Sequence, residues 1–365
     1  MQVIFDHAGR VERVRELMKE RGLDLLLLSV GADLPYLSGY QAMPLERLTM
    51  LVIPREGRAV LVVPQLEAPR VTPYPDVFAI RPWSETEDPL AVVADLAAGA
   101  RRAAVGDQTW SVFLLGLQER MPGVRFEPAT PITRELRMRK DQTEVEFLRR
   151  AAQAADRVVG RLRRHPFRGK SERQLAREIA QMTVEEGHEA ATLTIVASGP
   201  NAASPHHEPA DRVIAEGDGV VVDFGGRVAG YHSDTTRTFF VGEPDRQFEE
   251  AYRVLARAQR TAVEAIGPGV PAQAVDRAAR AVIEEAGYGE YFVHRTGHGI
   301  GLEGHEHPYI VEGNDLPLEP GMAFSVEPGI YLPGQFGMRV EDIVVVTEDG
   351  VERLNRSDRS LAIVS

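Results

Sequence analysis

The 365-residue chain contains no cysteine. Disulfides, thiolate zinc sites, iron–sulfur clusters and a cysteine nucleophile are therefore excluded, and any metal chemistry must run through oxygen and imidazole. Long apolar runs are missing as well. Nothing approaches the ~18 uninterrupted apolar residues of a membrane-spanning helix. Basic charge is in deficit: 42 Lys and Arg stand against 54 Asp and Glu, a formal net charge of −12. That is the wrong sign for neutralising a phosphate backbone, so neither a nucleic acid nor a membrane is expected as a partner. The first ten residues lack a basic stretch leading into an apolar one, so a cytoplasmic location is expected.

What is present reads as two domains, the usual prior for this length. Val11, Val14, Leu17 and Met18 share a helical face that Gly22 ends, and Leu25–Val30 follows as a buried strand. Thr49–Ile53 and Ala59–Val63 are strands joined by a turn at Arg55-Glu56-Gly57; Pro89–Ala100 is helical and Ala103–Gly106 is a strand. The stretch from Arg134 to Lys140 is basic and lacks strand or core character, so the domain boundary belongs near it. A long helix begins near Thr143, and Ser171 with Gln174 forms a capping-box pattern for a second. Beyond residue 190 come strand-like runs at Leu193–Ala197, Val220–Val222, Thr235–Phe240, Ala323–Val326 and Val340–Val346, interrupted by helices at Gln247–Ile266 and Ala272–Ala286. The second domain is thus an antiparallel sheet with helices packed on it, an α+β arrangement.

The chemistry concentrates there. Seven of the ten histidines fall between residues 206 and 307, more than scatter supplies. Asp223 ends a run of valines at Gly225-Gly226, and Asp234 follows after the apparent turn, so the two carboxylates can face one another across a hairpin. Glu327 ends the apolar strand Ala323–Val326, and Glu341 lies within Val340–Val346. Carboxylates gathered in a low-dielectric sheet repel unless something positive lies between them. His298 sits between glycines in Gly297-His298-Gly299, which let the backbone approach closely. Four carboxylates and one imidazole suit Mn²⁺, Co²⁺, Fe²⁺ or Zn²⁺. They exceed what one divalent ion needs and match two ions, about 3.5–4 Å apart as in two-metal hydrolases. Residues 299–304 also fit Gly-x-Gly-x-x-Gly, but His305-Glu306-His307-Pro308 is a poor helix start, so a dinucleotide site is not expected.

These motifs in this order resemble the metallopeptidase family of proline dipeptidases (prolidases), aminopeptidase P and methionine aminopeptidase. Tyr36-Leu37-Ser38-Gly39-Tyr40 looks like a motif of the creatinase/prolidase N-terminal domain, which points to the prolidase and aminopeptidase P branch. The resemblance implies an α+β fold: a pita-bread catalytic domain over residues 136–365, preceded by a smaller α/β creatinase-like domain over 1–135. It implies that Asp223 chelates one ion, that His298 and Glu327 bind the other, and that Asp234 and Glu341 bridge them. It also assigns catalytic roles to His206, His294 and His305, to Arg339, and to Glu327 as proton shuttle. His207, adjacent to His206, remains open as the functional histidine. His188, His232 and His307 are read as structural.

The function so implied is a dinuclear Xaa-Pro dipeptidase, with two divalent ions per subunit (Mn²⁺ foremost; Co²⁺, Zn²⁺ or Fe²⁺ otherwise). A metal-bridging hydroxide would attack the peptide bond before a C-terminal proline. Alternatives are an Xaa-Pro aminopeptidase acting on longer peptides and a metal-free binding relative; the intact ligand set argues against the second. The resemblance further implies a homodimer in which one subunit's N-terminal domain closes over its partner's site. One departure stands out. Prolidases restricted to dipeptides often carry an arginine between the last histidine motif and Glu-Pro-Gly, whereas Gly304–Met322 here contains neither arginine nor lysine. Arg295 and Arg339 are the nearest cations in sequence.

Overall fold

The computed structural model describes residues 5–365, which divide into two compact units, the first ending at Arg137 and the second running from Met138 to Ser365. The first unit is built on a six-stranded mixed sheet in the order Phe78–Trp83, Ala59–Pro64, Met50–Pro54, Leu25–Leu28, Arg102–Val105, Arg125–Pro128. Leu25–Leu28 lies at its centre and is buried at every residue, as expected of a strand covered on both faces. One face packs Leu25, Leu27, Met50, Val52 and Val62 against Val92 and Val93 of the helix Pro89–Leu96 and Leu117 of the helix Ser111–Arg120. The Tyr36–Tyr40 motif closes the short helix Asp33–Ser38: Gly39 takes the left-handed conformation at φ 69°, and the Tyr36 ring lies under the Arg10 guanidinium at 3.9 Å.

In the second unit one order of elements occurs twice. A long helix (Gln142–Leu162) and a 14-residue helix (Glu172–Glu185) precede a sheet ordered Ala362–Val364, Thr235–Val241, Gly219–Val228, Ala191–Ser198. Another long helix (Arg246–Glu264) and another 14-residue helix (Ala272–Glu285) precede a sheet ordered Glu306–Ile310, Gly297–Gly299, Ala323–Val326, Asp342–Val346, Val351–Arg353. Each helix pair buries its apolar face on its own sheet. No repeat is readable in the sequence, because burial constrains apolar character and spacing rather than residue identity. The two sheets are stitched where Thr235–Val241 meets the hairpin Gly329–Leu332/Phe336–Arg339 and the start of Asp342–Val346. Glu341 N donates to Thr236 O, and Thr238 Oγ1 donates to Arg339 O at 2.9 Å. Behind this seam Arg237, 2% exposed, donates to Glu341 O and pairs with the fully buried Asp342 at 2.8 Å. Among the described residues no helix is long and apolar enough to cross a membrane.

Three expectations are corrected. Gly225-Gly226 is not a turn: the strand continues to Val228, and the reversal comes at Ala229-Gly230. A Cβ at Gly225 would lie 2.2 Å from Ser233 O and one at Gly226 would lie 2.5 Å from the His188 ring, so these glycines make room for neighbours. Val340–Val346 is not one strand: Val340 and Glu341 lie in a break between Phe336–Arg339 and Asp342–Val346. The stretch from Arg134 to Lys140 does have core character. It includes the end of the helix Thr130–Arg137, and Leu136, Met138 and Lys140 are buried. Its charges are paired rather than solvated, Arg137 with Asp33 at 2.8 Å in the first unit and Lys140 with Glu306 at 2.6 Å in the second.

Candidate active site

Strand alternation places the first carboxylate. Val220, Val222 and Phe224 face the helices, so Asp223 points to the opposite side of the sheet. There it lines a cavity of about 640 Å³ in the second unit, together with Asp234, His298, Glu327 and Glu341 and with His206, His294, His305 and Arg339. All nine residues singled out in the sequence therefore converge on one space. Asp234 reaches it from the short link before Thr235, a link held by Ser233, whose N–H donates to Gly226 O and whose hydroxyl bonds to His188 Nε2 at 2.9 Å. Glu327 reaches it from the end of Ala323–Val326, and Glu341 from the break described above.

The five candidate ligands form overlapping groups whose donor atoms all lie within 4.8 Å of one another: Asp223, Asp234 and Glu341 in one, His298, Glu327 and Glu341 in another. His298 Nδ1 bonds Gly299 O at 3.1 Å, which leaves Nε2 for the cavity, 3.1 Å from Glu327 Oε1. Asp223 Oδ1, Asp234 Oδ1 and Glu341 Oε1 are buried and have no hydrogen-bond partner. Buried carboxylate oxygens are seldom left so, and three on the same side of one cavity are the donor set a hard divalent cation requires. The electrostatics agree. Burial, then Glu341, Asp223 and Glu327, push the Asp234 carboxyl well above the usual carboxylate range; burial, then Glu327 and Asp223, do the same to Glu341. Glu327 is shifted up by burial but ends well below the usual range, because the His298 hydrogen bond and charge outweigh it.

Arg339 sits among them. It is 2% exposed, donates to Asp223 Oδ2 at 2.6 Å, to Thr236 Oγ1 at 3.0 Å and to the Tyr331 hydroxyl at 2.8 Å. Tyr331 in turn bonds His294 Nε2 at 2.9 Å, and His294 Nδ1 bonds Arg295 O at 2.7 Å. His294 is thus held at both nitrogens, and burial lowers its pKa. His305 stacks on His298 with ring centroids 3.8 Å apart, and burial followed by the His298 charge lowers its pKa to about 4. His206 is exposed to the cavity, whereas His207 is tethered by a 2.7 Å bond from Nε2 to Glu172 Oε2. His188 is buried against Thr183 and Ser233, His307 packs on Tyr309, and His232 lies beside Gly304. The Gly-x-Gly-x-x-Gly stretch leads into the strand Glu306–Ile310 with no helix. A Cβ at Gly297 would meet Ser325 O at 1.8 Å and one at Gly299 would meet His307 O at 2.2 Å, so these glycines are there for close packing.

Four residues that support the site were not singled out in the sequence. The Thr236 hydroxyl donates to Glu341 Oε2 at 2.7 Å, and the Ser325 hydroxyl donates to Glu327 Oε1 at 3.0 Å. Each lies two residues from a ligand, and a polar residue at that spacing was the available signal. Tyr331 and Glu172 carried none. Glu172, fully buried, accepts from Ser198 N and Oγ, Asn201 Nδ2 and Ala210 N as well as bonding His207, and so pins the loop that carries His206. Burial pushes its carboxyl up, but these hydrogen bonds bring it below the usual range. A depressed folded-state pKa stabilises the fold above the unfolded value and loses that stabilisation as pH falls through the folded one. Urea melts of wild type and Glu172→Gln should therefore differ strongly at pH 7 and converge as pH drops below about 4. A gap that is constant with pH would contradict the charged reading of Glu172.

Comparison with known proteins adds the following. Residues 146–348 match the model of metallopeptidase family M24, and residues 10–139 match that of the creatinase/prolidase N-terminal domain. A protein of Mycobacterium tuberculosis described as a probable dipeptidase PepE is 47% identical over 98% of this chain and 96% of its own. A Xaa-Pro dipeptidase of Lactobacillus helveticus is 35% identical, over 97% of this chain and 98% of its own. The crystal structure of a prolidase from Thermococcus sibiricus superposes with a TM-score of 0.94 at 36% identity, covering 100% of both chains.

Proposed function

This chain belongs to metallopeptidase family M24, with a creatinase/prolidase N-terminal domain and a hydrolytic peptidase activity, and from that premise we propose that it is a two-metal Xaa-Pro dipeptidase. The observation that carries the proposal is the convergence of three partnerless buried carboxylate oxygens, on Asp223, Asp234 and Glu341, beside the Nε2 of His298 and the carboxylate of Glu327. The printed names of the Lactobacillus and Thermococcus relatives support the choice of proline as the residue after the cleaved bond.

In this reading Asp223 holds one divalent ion, His298 and Glu327 hold the other, and Asp234 and Glu341 serve both. Such ions acidify an attacking water and polarise the scissile carbonyl. The remaining chemistry falls to the chain. The peptide nitrogen of proline has no N–H, so it must gain a proton to leave. Glu327, held by Ser325 and His298, takes a proton from the attacking water and returns it to that nitrogen. His305 stays neutral near pH 7 and offers an N–H to the developing oxyanion, as does His206 from the opposite loop. Arg339 offsets part of the negative charge and, through Tyr331, fixes His294. Mn²⁺ is the proposed metal, and a cytoplasmic homodimer the proposed setting; light scattering should return twice the chain mass. The deciding assay compares Ala-Pro with an Ala-Pro peptide extended at its C-terminus. Higher kcat/KM on the dipeptide is expected, and preference for the longer peptide would replace this reading by an Xaa-Pro aminopeptidase.

A further inference from the structure

We propose that Arg295 receives the free C-terminal carboxylate of the substrate and so restricts hydrolysis to dipeptides. The proposal deepens the peptidase reading above and rests on it. Two arginines, and no lysine, line the cavity. Arg339 is committed, with its guanidinium bound to Asp223, Thr236 and Tyr331. Arg295 is not. It is half-buried, and among the described residues it forms no ion pair with a carboxylate. Its guanidinium lies over the Tyr309 ring at 4.3 Å and donates from Nη2 to His305 Nδ1 at 3.4 Å. Both partners hold the group in place without neutralising it. One of its five N–H donors is used, so donors remain for a planar carboxylate.

Its position suits the task. His305, which Arg295 touches, stacks on the candidate ligand His298. The cation is therefore two side-chain contacts from the carboxylate cluster. In a dipeptide the terminal carboxylate lies one residue beyond the scissile carbonyl, so a cation close to the cluster can meet it. A longer peptide brings a neutral amide to that point, leaves the guanidinium without its anion, and must extend past it. The segment Gly304–Met322 supplies no cation of its own, but it supplies Tyr309, the surface on which Arg295 rests.

The test uses the Mn²⁺-loaded full chain, its Arg295→Ala and Arg295→Lys variants, and Ala-Pro against its C-terminal amide. Wild type should favour the free acid, and Arg295→Ala should erase that preference by lowering kcat/KM for Ala-Pro about 10–100-fold, mainly through KM. Arg295→Lys should recover part of it. Calorimetry with proline and prolinamide reads the same contact without turnover, and proline binding should weaken in Arg295→Ala. A variant that keeps the wild-type preference for the acid, or a wild type that accepts the amide equally, overturns the proposal. If wild type cleaves other dipeptides but none containing proline, the Xaa-Pro reading fails. The acid-to-amide comparison on the best-cleaved dipeptide then still decides the role of Arg295.

Discussion

Glu327→Gln should keep its fold and lower kcat on Ala-Pro by about 10³-fold. Glutamine preserves size and a carbonyl oxygen but can neither accept the water's proton nor return it to the proline nitrogen. Glu327 is well placed for that task, because Ser325 donates to its Oε1 and His298 Nε2 lies 3.1 Å from the same atom, leaving Oε2 for the substrate. The substitution also removes a candidate metal ligand, so the assay must be run at saturating Mn²⁺ with metal content measured. A normal metal content with kcat within tenfold of wild type would show that another group moves the proton.

Asp234→Asn should act in opposite directions on the two forms of the protein. Without metal, Asp234 is a buried carboxylate crowded by Glu341, Asp223 and Glu327, with one oxygen that has no partner. Removing its charge relieves repulsion and replaces an orphaned acceptor by an amide with donors. The metal-free variant should be more stable than wild type by about 1–2 kcal/mol, a rise in Tm of roughly 3–6 °C for a domain of this size. With metal the order reverses. Wild type should gain stability on adding Mn²⁺, because an ion that binds only the folded chain stabilises it by mass action. The variant should gain much less and should lose peptidase activity. Thermal melts with and without Mn²⁺ read both effects, and a variant less stable than wild type in the absence of metal would contradict the crowding argument.

The parts of this site that were legible in the sequence are those whose signal is local. Asp223 after three valines, Glu327 at the end of an apolar strand and His298 between glycines each break a pattern within a few residues. Ser171 and Gln174 form the capping box their spacing indicates. Other features depend on contacts distant in the chain. Glu172 lies 35 residues from His207, and nothing near it marks it as the hub of the His206 loop. Tyr331 gains its role only from Arg339 and His294. Gly225-Gly226 was misread because glycine serves both turns and close approach, and which applies is set by Ser233 and His188 across the sheet. The stretch from Arg134 to Lys140 was misread because Arg137 and Lys140 are buried by partners more than 100 positions away, Asp33 and Glu306.

The central claim is that the cluster of Asp223, Asp234, His298, Glu327 and Glu341 is built around two divalent cations. The direct measurement is to strip the protein with a chelator, titrate Mn²⁺ back, and follow bound metal per chain together with Ala-Pro hydrolysis. Two ions per chain should bind at saturation, with activity absent in the stripped protein and restored as the sites fill. Undiminished hydrolysis after thorough chelation, or saturation without binding at this cluster, would contradict it.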